Sequence, residues 1–236
     1  VTESGGKTIA VVGASASIGE AVVRALLARK HRVLATHRAT PPDVHAPGLT
    51  HHRLDLMDSR DQDRFVAGPL AEAGSLDGVV LLAGLLPGKA LAEYDDALMD
   101  QVMGVNFTAQ AKLLRRLQGL LADPSHVVMM ASVSGERGSY DPLYAAAKGA
   151  VISFVKSLAT WMAPATRVNA LAPGLIAEST MARDMAPERR EHHRQQAPVK
   201  RLLTPDALGG IVADLFEPHW DHLNGVTLRL NGGAHV

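Results

Sequence analysis

Tyr144 and Lys148 stand four residues apart in the run Tyr-Ala-Ala-Ala-Lys, and Ser132 precedes the tyrosine by twelve residues. On a helix, that spacing sets the phenol and the ammonium on one face, about one turn apart. A phenol is a weak acid near neutrality, with an ordinary pKa of about 10. A cation fixed beside it favours the phenolate and eases proton transfer. A serine hydroxyl nearby can hold an oxygen atom. A Tyr-x-x-x-Lys pair arises readily by accident, so it carries weight only with a nucleotide site elsewhere in the chain.

The elements that must position these groups read as strands alternating with helices. Apolar runs predict strands at Thr8–Val12, Arg32–Thr36, Val79–Ala83, Val127–Ala131, Arg167–Leu171 and Val226–Leu230, with a weaker one at Thr50–Leu54. Helical spacing falls at Ser17–Arg29, Ser59–Ala73, Asp95–Leu121, Leu143–Met162 and Pro205–Phe216. This alternation predicts an α/β chain: a single-domain Rossmann fold with a doubly wound parallel sheet of about seven strands and helices on both faces. No linker, repeat or low-complexity tract divides residues 1–236. One polar segment, 175–201, breaks the rhythm. Its Arg183, Arg189, Arg190, Arg194, Lys200 and Arg201 outnumber its carboxylates, among them Asp184, Glu188 and Glu191. A long excursion of this kind reads as a substrate lid or as a solvated surface helix.

The 236 residues are 47% hydrophobic and 20% charged, with a formal net charge of zero. That balance fits a soluble globular protein and gives no charge argument for nucleic acid or an anionic membrane. The absence of Cys removes disulfides, thiol catalysis and thiolate metal sites. No apolar stretch is long enough to span a bilayer. The opening Val-Thr-Glu-Ser-Gly-Gly-Lys lacks the apolar core of a signal peptide, so a cytoplasmic enzyme is expected, and the missing initiator Met suggests trimming.

The first predicted strand runs into Val12-Gly13-Ala14-Ser15-Ala16-Ser17-Ile18-Gly19, and a helix follows. Glycine at such a turn lets backbone N–H groups approach a pyrophosphate, which the helix N-terminus favours.

With that turn in place, the chain resembles the classical short-chain dehydrogenases/reductases along its whole length, and is similar to 3-oxoacyl-carrier-protein reductases. Gly13 and Gly19 match the outer glycines of the family's Thr-Gly-x-x-x-Gly-x-Gly motif. Asp55 matches its adenine-contacting Asp, and Ala83-Gly84 the end of its Asn-Asn-Ala-Gly motif. Asn106, Ser132, Tyr144 and Lys148 match its catalytic tetrad, and Pro173-Gly174 its turn beside the nicotinamide. Asn224-Gly225 and Asn231-Gly232-Gly233 resemble its last strand and tail. The resemblance implies cofactor contacts at Gly13, Ser15, Ser17, Ile18, Gly19, His37, Arg38, Asp55, Leu56, Ala83, Gly84, Pro173, Gly174 and Ile176, besides Tyr144 and Lys148.

It also implies roles. Tyr144 protonates the substrate oxygen, Ser132 holds that oxygen, and Lys148 lowers the phenol's pKa and bonds the nicotinamide ribose. Asn106 holds a water that links Lys148 to solvent. Ser17 replaces the motif's middle glycine, Val12 its Thr, and Leu81-Leu82 its paired Asn. The last two changes belong together: losing polar groups on both sides of a buried contact is nearly neutral, whereas losing one side is costly. Ser179 and Thr180 stand one or two places beyond the register of the family's Thr that contacts the cofactor carboxamide.

NAD-specific relatives end the second strand on a carboxylate. Here it reads Ala35-Thr36-His37-Arg38, and a guanidinium at 38 suits a 2′-phosphate, so NADP(H) is favoured over NAD(H). The expected substrate is a small ketone or the corresponding secondary alcohol. Leu85, Leu86, Pro87, Tyr140, Leu175 and Ile176 would shape its pocket, with Ser134 a candidate donor nearby. A carrier-protein partner is possible, but Asp123 and Pro164-Ala165 stand where carrier-dependent relatives keep basic residues. Relatives form tetramers or dimers through their long helices, which makes Val151, Phe154, Val155, Leu158 and Trp161 a candidate seam. No metal site is expected: the adjacent pairs His51-His52 and His192-His193 diverge, and Pro218 disrupts any helix that would align His219, Asp221 and His222. Two other classes stay open, a nucleotide-binding regulator on the same scaffold and a hydrolase using Ser132. No Gly-x-Ser-x-Gly elbow surrounds that serine.

Overall fold

A computed structural model describes residues 6–15 and 17–235. Most of the opening segment read for a signal sequence, and Ala16 of the glycine turn, lie outside these. Seven strands form one sheet: β1 (Thr8–Val12), β2 (Arg32–His37), β3 (Leu49–Arg53), β4 (Leu76–Leu81), β5 (Leu121–Met130), β6 (Thr166–Pro173) and β7 (Thr227–Leu230). Their order is β3-β2-β1-β4-β5-β6-β7, and every pairing is parallel. The order reverses between β1 and β4, which opens a crevice at the carboxyl ends of the strands.

Side-chain alternation along β1 builds two cores. Ile9 and Val11 join Val22, Val23 and Leu26 of α1 (Ser17–Ala28) and, further along the chain, Leu208 and Val212. Ala10 and Val12 join the opposite core with Phe65 of α2 (Ser59–Phe65). That helix continues through a π-helical turn, Val66–Leu70, into α3 (Ala71–Ala73). Pro69 lies inside the turn, where its missing N–H removes one rung of the ladder. Helix α4 (Asp96–Met103) likewise passes through a π-helical turn, Gly104–Thr108, into α5 (Ala109–Leu117). The helix expected at Asp95–Leu121 is therefore interrupted, and Leu121 already belongs to β5. The cause of the bulge is local: Asn106 Nδ2 donates to the carbonyl of Val102, 2.9 Å away, and so competes with the backbone ladder.

After β5 come the one-turn α6 (Ser134–Arg137) and the long α7 (Pro142–Trp161). Segment 175–201 is mostly helical, with α8 (Thr180–Asp184) and α9 (Pro187–Gln196), and α9 buries none of its residues. Helix α10 (Pro205–Asp214) then packs on α1.

The proposed apolar seam needs correction. Val151 and Val155 are fully buried against the sheet. Phe154 and Leu158 pack on the same core, and Phe154 meets Phe107 edge-on at 5.4 Å. Trp161 is 85% exposed and Phe154 and Leu158 are partly buried, so these three of the five keep surface for a partner.

Candidate functional site

Every residue singled out for catalysis or cofactor binding lies at the carboxyl end of the sheet or on a helix beside it. Gly13, Ser15, Ser17, Ile18 and Gly19 form the turn from β1 into α1. His37 and Arg38 close β2, and Asp55-Leu56 follow β3. Leu54 N–H donates to His37 O at 2.8 Å, so these two stretches are neighbours. Leu56 is turned into the core, where its carbonyl accepts from Gln62 Nε2, and Ile176 is buried, its carbonyl accepting from Ser179 Oγ. Pro173 ends β6, and Gly174 N–H bonds to Leu230 O.

The glycine turn fits a pyrophosphate. Gly13 has φ +90, and a Cβ there would lie 2.8 Å from Ala83 N. A Cβ on Gly19 would lie 2.5 Å from Ala14 Cα. Any side chain at either place would close the cradle. Ser17 spends its hydroxyl on the carbonyl of Glu178, 3.0 Å away at the start of the 175–201 segment. The departures at 12 and 81 do meet: Val12 and Leu81 are register partners in β1 and β4, both buried. Ser179 is buried and caps α8, accepting from Ala182 N–H while donating to Ile176 O.

The second half of the site is desolvated. Asn106, Ser132, Tyr144 and Lys148 are 0%, 7%, 8% and 2% exposed. Lys148 Nζ donates to Met130 O at 2.7 Å and lies 5.7 Å from the centre of the Tyr144 ring. An ideal Cβ on Gly84 would sit 3.3 Å from Asn106 Oδ1 and 3.8 Å from Lys148 Nζ, so this glycine brings the two polar groups together. Asn106 also clasps the chain after β4: its Nδ2 donates to Leu85 O and its Oδ1 accepts from Leu85 N–H, at 2.7 and 3.2 Å.

Burial acts on both titratable groups. It lowers the Lys148 ammonium to about 7. It raises the Tyr144 phenol above its usual value, opposed by a hydrogen bond with Ser132 and aided by the Asp141 charge. The expectation that the lysine depresses the phenol's pKa is thus not met in the structure, because desolvation of the phenolate dominates. Tyr140 is 67% exposed, and its hydroxyl donates to Glu93 Oε2 at 3.4 Å. Ser134 contributes its backbone, whose N–H donates to Ser132 Oγ at 3.1 Å. Trp220, His219 and Arg29 gather on Asp214, so this His serves an ion-pair cluster.

Two buried polar side chains near the site were not singled out from the sequence. Gln110 Nε2 donates to Ala83 O and Val105 O at 2.8 and 2.9 Å, which supports the end of β4. Asp141 caps α7. Its signal was legible, since Asp-Pro before a helical run is an N-cap followed by proline at the first turn.

A parallel seven-stranded sheet with a glycine turn at its switch point defines a dinucleotide-binding fold. The family model described as Enoyl-(Acyl carrier protein) reductase matches residues 13–235. Nodulation protein G of Azospirillum brasilense is 33% identical over 77% of this chain and 75% of that protein. The 3-oxoacyl-(acyl-carrier-protein) reductase of Vibrio cholerae is 29% identical, covering 98% of each. Among solved structures, a short-chain dehydrogenase/reductase of Brucella melitensis superimposes with a TM-score of 0.91 at 28% identity, over 99% of this chain and 98% of that one. The chain belongs to the short-chain dehydrogenase/reductase family, which implies a nicotinamide cofactor. No described helix is long and apolar enough to cross a membrane.

Proposed function

We propose that the chain is an NADP(H)-dependent reductase of small ketones, or a dehydrogenase of the corresponding secondary alcohols, with Tyr144 as the proton-transferring group. One arrangement supports this above all: Ser132, Tyr144 and Lys148 are buried together beside Gly84, at the mouth of the crevice that the glycine turn opens. Gly13, Gly19, Ala83 and Gly84 would hold the cofactor's backbone-contacting parts, and exposed Arg38 would meet a 2′-phosphate. When bound, the cofactor supplies the hydride.

The chain's own groups handle the oxygen and the proton. Ser132 Oγ accepts from Ser134 N–H, and its O–H, which faces the Tyr144 phenol, can turn to donate to a carbonyl oxygen bound between the two. Tyr144 stays protonated at neutral pH because burial raises its pKa, so it carries a proton ready to give to the developing alkoxide. Lys148, lowered to about 7, exchanges its own proton near neutrality and can reload the tyrosine. Asn106 fixes Leu85 and so the wall opposite. The 175–201 segment serves as the substrate lid, and the names of the carrier-protein reductases make a β-keto thioester one substrate to try. In the cell we place the protein in the cytoplasm, as a homotetramer or homodimer.

A panel of β-keto esters, β-keto thioesters, cyclic ketones and diketones, followed by NADPH absorbance, tests this activity. Turnover of at least one class with NADPH, and weaker turnover with NADH, is expected. Tight NADPH binding without turnover of any class would favour the regulator, and ester cleavage without cofactor the hydrolase.

A further inference from the structure

Asp141 collects four hydrogen bonds from three separate stretches of chain. Its Oδ1 accepts Tyr144 N–H at 3.0 Å and Tyr94 O–H at 2.6 Å. Its Oδ2 accepts the consecutive N–H groups of Gly88 and Lys89 at 2.9 and 3.2 Å. The residue is 2% exposed and forms no ion pair among the described residues. Dipoles alone therefore hold it. The positive φ of Gly88, +71, turns two successive amides toward one oxygen, and the N-terminus of α7 faces the other.

The arrangement has a mechanical consequence. The loop that leaves β4 is pinned at Leu85 by Asn106 and at Gly88-Lys89 by Asp141. Leu86 and Pro87 are strung between the two anchors. The α7 amide bound by the same carboxylate is that of Tyr144 itself, so the carboxylate cannot shift without moving the tyrosine's backbone.

We propose that Asp141 is a positioning residue: it locks the Leu85–Lys89 loop, one wall of the substrate cleft, to the backbone of Tyr144, so that wall and proton donor stay in fixed relation. The proposal rests on the ketone-reductase activity above. The carboxylate also bears on the proton itself. Three groups face the Tyr144 phenol: Lys148 from the same helix, the Ser132 hydroxyl after β5, and Asp141 at the helix start, whose charge favours the protonated phenol.

Asp141→Asn keeps an acceptor for the helix cap but turns an NH2 toward a pair of N–H donors, so the amide cannot serve both sides. Tyr94→Phe removes one bond and leaves the cap. Parent and variants are to be assayed with ethyl acetoacetate and NADPH, and the exchange of the Gly88 and Lys89 amides followed by NMR. In Asp141→Asn we expect kcat to fall by about tenfold or more, since small misplacements of reacting groups have effects of this size. Loss of the negative charge also lowers the phenol's pKa, which moves the high-pH limb of kcat/KM to lower pH. In Tyr94→Phe, KM rises while that limb stays in place. Both variants speed exchange at Gly88 and Lys89.

Parental kinetics, pH profile and exchange rates in a folded Asp141→Asn would overturn the proposal. If that variant does not fold, unchanged KM and unchanged exchange in Tyr94→Phe would overturn it instead. A parent without turnover on ethyl acetoacetate or any substrate of the panel would count against the ketone-reductase activity alone, and the amide exchange would then decide whether the tether exists.

Discussion

The corner around Tyr144 and the segment 175–201 face the same crevice but are built by opposite means. At the corner, Asn106, Ser132, Asp141, Tyr144 and Lys148 are all buried. There, hydrogen bonds to Leu85, Gly88, Met130 and Ser134 hold the other polar groups, while the phenol bonds to Ser132 and Asp141 holds the tyrosine's backbone. In the segment, α9 buries nothing, and the ion pair of Arg194 with Glu191 is solvent-exposed. Buried polar networks are rigid because an unmade bond costs the full desolvation of its donor or acceptor. Solvated pairs are worth little and rearrange easily. Under the proposed function, the contrast pairs a rigid corner for the chemistry with a rearrangeable segment for recognition.

The sharpest way to break this contrast is Tyr144→Phe. Removing a general acid is expected to lower kcat by about 10²–10⁴-fold. NADPH affinity, read by fluorescence, should stay near the parent value, because the variant keeps the shape of the ring. Paired substitution Arg189→Ala/Arg190→Ala in α9 should instead leave kcat within a few-fold and act on KM. Comparable kcat losses in both would erase the distinction between the regions.

A second test reaches the frame beneath the corner. His126, on β5, whose last residue Met130 stands two before Ser132, is buried between Leu215 O, 3.1 Å from Nδ1, and Asn169 Nδ2, 2.9 Å from Nε2. Burial, the Arg167 charge and the Lys7 charge lower its pKa to about 3, opposed by the Leu215 bond. The unfolded chain takes up this proton near 6.5, whereas the folded chain resists it until about 3. Stability is therefore full above pH 6.5 and declines below it, by about 1.4 kcal/mol per pH unit from this one group. Thermal unfolding at pH 7 and pH 5 reads the slope, and His126→Gln should flatten it. An unchanged slope in that variant would remove His126 from the account.

These two regions were also unequally legible in the sequence. The strand pattern placed β1 without error and β2, β3 and β7 to within one residue, since short buried runs bounded by turns leave few choices. Tyr144 and Lys148 could be set on one helical face from spacing alone. The break at Asn106 could not, because it depends on a side chain reaching the Val102 carbonyl inside an otherwise regular helical pattern. The first six residues of β5 were missed because Ala122-Asp123-Pro124-Ser125 reads as a turn; Leu121 pairs with Leu76 and Ser125 with Thr166, and the β4 register shifts across the residues between. Val151 and Val155 were offered to a partner because periodicity marks an apolar face without saying what covers it. The phenol's pKa also escaped: spacing supplied the nearby cation, while burial, the largest cause of the upward shift, is a property of the folded chain.

A smaller effect is expected at Arg38, an exposed cation at the end of β2 with no ion pair among the described residues. If it meets a 2′-phosphate, Arg38→Ala should reduce the preference for NADPH over NADH by about tenfold, the value of one charge-assisted bond of roughly 1.5 kcal/mol. The measurement is the ratio of kcat/KM for the two cofactors. A parent that prefers NADH would end this assignment and leave the catalytic corner untouched.

The least effect should come from the one side-chain hydrogen bond that, among the described residues, joins the glycine turn to the 175–201 segment. Ser17 Oγ donates to Glu178 O at 3.0 Å, and Glu178 holds a positive φ of 59, so its backbone conformation has a local cost that the contact helps to offset. The bond is exposed, which limits its worth to about 0.5–1.5 kcal/mol. Ser17→Ala keeps helix α1 and removes only the donor. If the segment moves as a lid, loosening this anchor should raise substrate KM by a few-fold and speed amide exchange in α8, with kcat and the pH profile unchanged. If Ser17→Ala instead lowers kcat as strongly as a corner variant does, segment and corner form one rigid unit, and recognition in this enzyme is not separable from its chemistry.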